Sequence, residues 1–167
     1  MKFYAGIGSR KTPPSILRIM EHWADTLARD GWVLRSGGAP GADSAFERGA
    51  LAGTTQIFLP WPGFEGRDGI SRYPTATWEK AASIAADHHP AWDRCSQGAR
   101  KLLTSNVFQI LGPDLETPSS FVLCWTPHGS GSGGTGLGIR VAKAHDIPVF
   151  DLGCGPQVLE QLKSQLL

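Results

Sequence analysis

Three glycine-rich turns hold the residues of this sequence that could bind an anion. They cover residues 6–10, 36–43 and 131–136. Each turn follows a run typical of a buried strand and precedes a stretch typical of a helix. Glycine lets the backbone approach a ligand closely, and the first N–H groups of a helix have no partner within it. The three turns together therefore predict one phosphate-binding pocket of the nucleotide type.

Polar and aromatic side chains next to these turns would complete the pocket. The Ser9 hydroxyl and the Arg10 guanidinium suit a phosphate, because a charge-assisted hydrogen bond is stronger than a neutral one. Thr135 adds a second hydroxyl, and Trp125 could stack on a base. The predicted ligand-binding residues are Gly8, Ser9, Arg10, Ser36, Gly37, Gly38, Gly41, Asp43, Trp125, Gly133, Gly134, Thr135 and Gly136.

Two acidic residues follow the second turn. Asp43 lies in the first turn of the next predicted helix, where it could complement the helix dipole or bind a ribose hydroxyl. Glu47 lies one helical turn later on the same face, so the two form either a paired acidic site or an exposed helix face. If the protein is an enzyme, Asp43 and Glu47 are the candidate catalytic residues.

Composition narrows the class of protein. Lys and Arg number 16 against 15 Asp and Glu, so no overall basic charge points to nucleic acid. Cys95, Cys124 and Cys154 lack metal-ligand spacing, and we expect no metal and no required cofactor beyond a nucleotide-type ligand. No apolar stretch approaches the roughly 20 residues that span a membrane. A cytoplasmic protein with no membrane partner is the expectation.

Predicted strands and helices alternate along almost the whole chain. This alternation predicts an α/β fold of the Rossmann-like type, with a mostly parallel sheet and helices on both faces. We expect a single domain over residues 1–167, with a loop and helical insertion at about 61–117. The helix after the third turn is predicted over residues 137–144.

The three turns also resemble a known family. Gly-Ile-Gly-Ser-Arg at 6–10, Ser-Gly-Gly-Ala-Pro-Gly-Ala-Asp at 36–43 and Gly-Gly-Thr-Gly at 133–136 are similar to motifs of the SLOG superfamily. That group includes the Rossmann-like domain of DNA-processing protein A (DprA), the Lonely-guy enzymes and YspA/YpsA-like proteins. The chain looks like the small stand-alone DprA-like proteins of phages and bacteria. Lonely-guy enzymes carry Pro-Gly-Gly-x-Gly-Thr-x-x-Glu, and Gly138 stands here in place of that catalytic glutamate.

The resemblance implies three functions, which the sequence leaves open. The first is binding of a nucleotide or nucleotide-derived ligand through the three turns. The second is hydrolysis of a nucleotide N-glycosidic bond, with Asp43 or Glu47 as the acid. The third is binding of single-stranded DNA with a recombination role. The basic side chains for that third function are Arg10, Arg67, Arg72, Arg94, Arg100 and Lys101.

We also expect a homo-oligomer, because Trp23, Trp78 and Trp92 exceed what one small core needs.

Overall fold

A computed structural model describes residues 1–166, which form one five-stranded sheet and six α-helices. The strands are β1 (Lys2–Gly6), β2 (Trp32–Ser36), β3 (Thr55–Ile57), β4 (Val122–Cys124) and β5 (Val149–Asp151). The helices are α1 (Pro14–Arg29), α2 (Ala42–Gly49), α3 (Thr75–His88), α4 (Gln97–Leu111), α5 (Gly133–Ala144) and α6 (Gln157–Leu166). Leu167, the last residue of the predicted domain, lies outside the described residues.

The strands run parallel in the order β3-β2-β1-β4-β5. Ala5 of β1 lies opposite Arg35 of β2 on one side and opposite Val122 of β4 on the other. The strand order reverses between β1 and β4, because the chain first builds outward from β1 and then returns to its other side. Ligands of open parallel sheets bind beyond the carboxyl ends of the strands at such a reversal.

Helices cover both faces of the sheet. Successive residues of a strand point to opposite faces, so Tyr4 packs on one side and Ala5 on the other. The first face carries α1, α2 and α6, and the second carries α3, α4 and α5. Strands buried on both faces have continuous apolar sequences, as in β4. The predicted α/β, Rossmann-like class is confirmed.

Most of the predicted insertion belongs to the core of the fold. After β3 the chain folds back, and the Ile70 N–H donates to the Ile57 carbonyl at 2.8 Å. Further along, α4 crosses from β3 to β4 and buries Val107, Phe108 and Ile110 completely. Segment 61–117 therefore contains an integral crossover helix, together with a loop that extends the edge of the sheet.

The tryptophans that suggested self-association have contacts within the chain. Trp23 packs against the core on the α1 face, and Trp78 and Trp92 pack against the core on the α4 face. All three are partly buried by these contacts. Self-association therefore stays a prediction.

Candidate functional site

A cavity of about 480 Å³ lies where the strand order reverses. Its wall contains residues 7–10 of the first turn with the following Lys11, and residues 132–135 of the third turn with the preceding Pro127. The second turn contributes Ala39 and Asp43. Leu102, Asn106 and Gln109 of α4 form the remaining wall. The structure thus brings segments of all three turns to one cavity.

The first turn closes on itself and leaves Arg10 at the rim. The Ser9 carbonyl accepts hydrogen bonds from the Thr12 N–H at 3.2 Å and from the Thr12 hydroxyl at 2.6 Å. The Ser9 Oγ accepts from the Lys11 N–H at 3.0 Å, so its own hydrogen remains available to donate. Arg10 is exposed, with Nη1 3.3 Å from Glu65 Oε1. Exposed ion pairs are worth little, so this one leaves Arg10 accessible to a ligand phosphate.

The glycines of the second turn are used for packing. Gly41 has a φ of +87°, and a Cβ there would lie 2.8 Å from Arg10 Cα. A Cβ at Gly37 would lie 2.6 Å from Gln109 Nε2, and one at Gly38 would lie 2.9 Å from Leu59 Cδ2. The buried Ser36 hydroxyl donates to the Gly6 carbonyl at 2.6 Å and ties the second turn to β1. Four residues of the second turn that were predicted to bind the ligand thus lie outside the cavity wall: Ser36, Gly37, Gly38 and Gly41.

Asp43 is the carboxyl group of the cavity wall. Its side chain is buried, and Oδ2 accepts the Ala39 N–H at 3.2 Å. Burial raises the pKa of Asp43 to about 7, and the nearby Glu47 carboxylate adds to the rise against the opposing hydrogen bond from Ala39. At neutral pH the Asp43 carboxyl is therefore close to half protonated, so it can both donate and accept.

Glu47 lies outside the cavity wall, so the paired acidic site that was one of the two alternatives for Asp43 and Glu47 does not form there. Its Oε2 pairs with Arg67 Nη2, while Arg67 Nη1 donates to the Gly38 carbonyl at 3.4 Å. Both side chains are partly buried. Glu47 thus holds the loop after β3 against the second turn, and of the two candidate acids only Asp43 faces the cavity.

The third turn supplies the start of a helix. The structure begins α5 at Gly133, four residues before the predicted start at Leu137. Gly133, Gly134 and Thr135 are therefore the first helical turn, whose N–H groups have no partner within the helix. The preceding residue, Ser132, makes no side-chain cap. These N–H groups and the positive end of the helix dipole face the cavity, an arrangement that is chemically suited to an anion.

A buried carboxylate at the end of β5 holds the third turn in place. Asp151 Oδ1 accepts the N–H groups of Thr126 at 3.0 Å and Gly153 at 2.9 Å, and Oδ2 accepts the Thr126 hydroxyl. The Thr126 Oγ1 in turn accepts the Gly131 N–H at 3.0 Å. Gly136 belongs to this packing, because a Cβ there would clash with the Gly131 carbonyl. Sequence analysis missed Asp151, since it lies outside the glycine motifs.

Trp125 lies away from the cavity, contrary to the prediction that it stacks on a base. Its side chain packs against the core under α1 and does not line the cavity. In the loop after β3, Trp61 packs edge-on against Phe64 with ring centroids 5.2 Å apart. Within residues 1–166 no aromatic side chain lines the cavity. The alternation along β4 contained this signal, because Leu123 and Trp125 share a face and Cys124 points to the other.

Two amides of α4 face the cavity. Gln109 is 3% exposed, and its Nε2 donates to Asn106 Oδ1 at 3.3 Å. Asn106 Nδ2 donates to the Gly134 carbonyl at 3.3 Å. The position of Gln109 inside the apolar run 107–111 was the available signal, since a polar residue there must have a polar neighbour when buried.

The residue in place of the Lonely-guy glutamate is part of the core. Gly138 is buried in α5, and a Cβ there would lie 3.0 Å from Ile7 Cδ1 and 3.6 Å from Ile110 Cδ1. The position thus faces apolar side chains under the cavity. The carboxylate that acts in those enzymes has no counterpart at this position.

No three His, Cys, Asp or Glu side chains within residues 1–166 are grouped so that they could hold a metal ion. None of the helices there is long and apolar enough to cross a membrane.

No protein-family model and no curated protein matches the chain. Among solved structures, the chain is similar to DNA processing protein A from Helicobacter pylori, with a TM-score of 0.59 and 23% sequence identity. The match covers 90% of this chain and 64% of that chain, so this chain spans less than two thirds of its neighbour. The neighbour is described for its binding of single-stranded DNA. The resemblance stated from the three turns is thus confirmed for the fold: the chain has the Rossmann-like fold of DNA processing protein A.

Proposed function

We propose that this protein binds a nucleotide or a nucleotide-derived ligand by its phosphate in the cavity between β1 and β4. The observation that carries the proposal is the convergence of two sets of donors on one cavity. The unpaired N–H groups at the start of α5 come from one side, and Ser9 and Arg10 come from the other. A phosphate between them would meet hydrogen-bond donors and a positive charge together.

The size and charge of the cavity support this ligand class. Its volume of about 480 Å³ lies in the range of small-molecule sites. Arg10 and Lys11 provide positive charge at the rim, and the carboxyl group of Asp43 is partly protonated at neutral pH. Hydrolysis of an N-glycosidic bond keeps Asp43 as its one candidate acid in the cavity wall, because Glu47 pairs with Arg67 outside the cavity and position 138 carries no carboxylate.

The Arg10→Ala variant tests the proposal. Titration calorimetry with the nucleoside 5′-monophosphates should show binding by the unaltered protein and a loss of about 1.5–3 kcal/mol in the variant, the scale of a hydrogen bond to a charged group. The matched control is Arg29→Ala, which removes an exposed ion pair on α1 and should leave affinity unchanged. Unchanged affinity in Arg10→Ala would remove Arg10 from the site, and no binding of any nucleotide would defeat the proposal.

The fold neighbour favours a second candidate, which is binding of single-stranded DNA. A backbone phosphate would use the same donors as a free nucleotide. Two of the basic side chains predicted for this function contact other residues of the protein. Arg67 pairs with Glu47, and Arg100 lies over the Trp92 ring. A gel-shift series with an oligodeoxythymidine should show binding that weakens steeply as salt rises, because phosphate contacts release counterions. No shift at low salt would exclude this candidate.

A further inference from the structure

The wall of the cavity formed by α4 holds a directed chain of hydrogen bonds. It runs from Gln109 Nε2 to Asn106 Oδ1, and from Asn106 Nδ2 to the Gly134 carbonyl. A carbonyl can only accept, so Asn106 must turn its NH₂ group to Gly134 and its oxygen to Gln109. Gln109 must then turn its own NH₂ group to Asn106. The orientation of both amides follows from the Gly134 carbonyl alone.

This orientation leaves the Gln109 Oε1 as a free acceptor. Within residues 1–166 the only hydrogen bond of the Gln109 side chain is the one that its Nε2 donates to Asn106. The side chain is 3% exposed and lines the cavity. Because Gln109 lines the cavity, a ligand bound there can donate a hydrogen bond to this oxygen.

Asp43 lies next to Gln109, with Gly37 between them. A Cβ at Gly37 would lie 2.6 Å from Gln109 Nε2 and 3.0 Å from Asp43 Oδ2, so both side chains approach the same backbone position. Both residues line the cavity. This wall, which we call the acceptor floor, consists of Gln109 and Asp43. It supplies acceptors to the same cavity whose rim supplies N–H, hydroxyl and guanidinium donors.

The ligand must therefore present a phosphate at one end and hydrogen-bond donors close to it. Asn106 contacts both Gln109 and Gly134, so the acceptor floor lies one side chain away from the anion site at the start of α5. In a nucleotide, the sugar is the part that adjoins the phosphate, and its hydroxyls are donors. Resting on the function proposed above, we propose that Gln109 and Asp43 bind the ribose 2′- and 3′-hydroxyls, so that the site prefers ribonucleotides to deoxyribonucleotides.

The test compares sugars at constant phosphate and base. Titration calorimetry of the intact protein uses the four ribonucleoside 5′-monophosphates and their 2′-deoxy and 3′-deoxy counterparts. We expect the ribonucleotide to bind roughly three- to tenfold more tightly than at least one deoxy counterpart, the effect of one hydrogen bond. Equal affinity for the three sugars would overturn this inference and leave nucleotide binding intact. No binding of any nucleotide would overturn both.

Variants at position 109 assign the preference to this side chain. Gln109→Leu removes one of the two proposed acceptors and should abolish the preference over one of the two deoxy counterparts, whereas Gln109→Glu keeps an acceptor and should retain the preference over both. The ratio of affinities is the readout, because the negative charge added by Gln109→Glu lowers the affinity for every phosphate equally. Gln97→Leu, at the exposed start of the same helix, is the matched control and should keep the preference. An unchanged preference over both deoxy counterparts in a Gln109→Leu protein that thermal unfolding shows to be folded would overturn the assignment to Gln109.

Discussion

The second and third glycine-rich turns have similar sequences and different roles. In the second turn, a Cβ at Gly41 would meet the Arg10 Cα at 2.8 Å and the Ser9 carbonyl at 2.9 Å. In the third turn, a Cβ at Gly133 would have no neighbour within 4 Å among residues 1–166, and one at Gly134 would meet only Asn106 Nδ2, at 3.9 Å. The second turn needs glycine to let the backbone segments pack together. In the third turn, Gly133 and Gly134 leave the backbone open, whereas Gly136 packs against Gly131.

This difference shows that a glycine motif does not by itself identify a ligand contact. Glycine lacks a Cβ, so it serves equally where two segments of the chain meet and where a ligand meets the chain. The second turn is covered by the first turn and by Leu59 beyond β3, whereas the third opens on the cavity. The second turn nevertheless reaches the cavity through the side chain of Asp43.

The Asp43 side chain, through which the second turn reaches the cavity, is tested by the pH dependence of stability. Among the predictions, this one carries the largest expected change in the free energy of unfolding. The pKa of Asp43 rises from 3.8 to about 7 on folding, so the folded protein holds this proton more tightly than the unfolded chain. Stability is then highest below pH 4 for this group, falls as pH rises towards 7 and is level above it. Asp43→Asn mimics the protonated carboxyl and should remove this fall.

Chemical denaturation of both proteins between pH 4 and pH 8 measures the effect. As the pH rises from 4 to 8, the free energy of unfolding of Asp43→Asn should increase by about 3–4 kcal/mol relative to that of the unaltered protein. This is the value of a pKa shift of about three units. Parallel pH profiles for the two proteins would show that Asp43 ionises as it does in the unfolded chain. The second turn would then contribute packing alone.

Substitution of Gly41 tests the packing role of the second turn. Gly41→Ala adds a Cβ against the backbone of the first turn at a left-handed φ of +87°. We expect a loss of about 3 kcal/mol in the free energy of unfolding, from strain and overpacking together. Gly63→Ala is the control, because its φ is +76° and no described atom lies within 4 Å of the added Cβ. A control loss of about 1 kcal/mol isolates the strain, and equal losses would refute the packing role.

Thr126 links Asp151 to the third turn, so its substitution should change both stability and nucleotide binding. Thr126→Val removes the hydroxyl that donates to Asp151 and accepts from Gly131. We expect a loss of about 1–3 kcal/mol in stability, because buried polar groups lose their partner, together with weaker nucleotide binding. Thr26→Val on α1 is the control, since its exposed hydroxyl only donates to the His22 carbonyl. Unchanged nucleotide affinity in a destabilised Thr126→Val protein would separate Thr126 from the anion site.

The smallest stability effect is expected within the third turn. Gly134→Ala places a methyl group in the cavity and replaces glycine in a helix by a better helix former. Stability should rise by less than about 1 kcal/mol, while nucleotide affinity falls because the methyl group occupies the ligand space. Thermal unfolding and calorimetry measure the two effects separately. A clear loss of stability would mean that the third turn is packed like the second.

The fold class was predictable because it depends on local patterns. Apolar runs such as β4 and the regular alternation of elements suffice to predict a parallel sheet with helices on both faces. The position of the first turn at the cavity was also predictable, since it follows the central strand β1. The start of α5 was not, because glycine has a low helix propensity and the pair Gly133–Gly134 is typical of a loop.

The candidate site was predictable only in part. Ser9, Arg10 and Asp43 lie at the cavity as expected, whereas Trp125 and Glu47 have other neighbours. The place of Gln109 in the cavity wall was not predictable, because helical spacing cannot show which neighbour lies opposite a polar residue.

The sequence by itself determined the order of strands and helices along the chain and the turns that follow the strands, because these features depend on residues close together in the sequence. Only the tertiary structure decided which glycines face the cavity, which acid lines it and that Asp151 supports the third turn. The physical reason is distance along the chain. Gly41 lies against Arg10, Asn106 lies against Gly134, and Thr126 lies against Asp151, and each contact joins segments that come together only when the sheet forms.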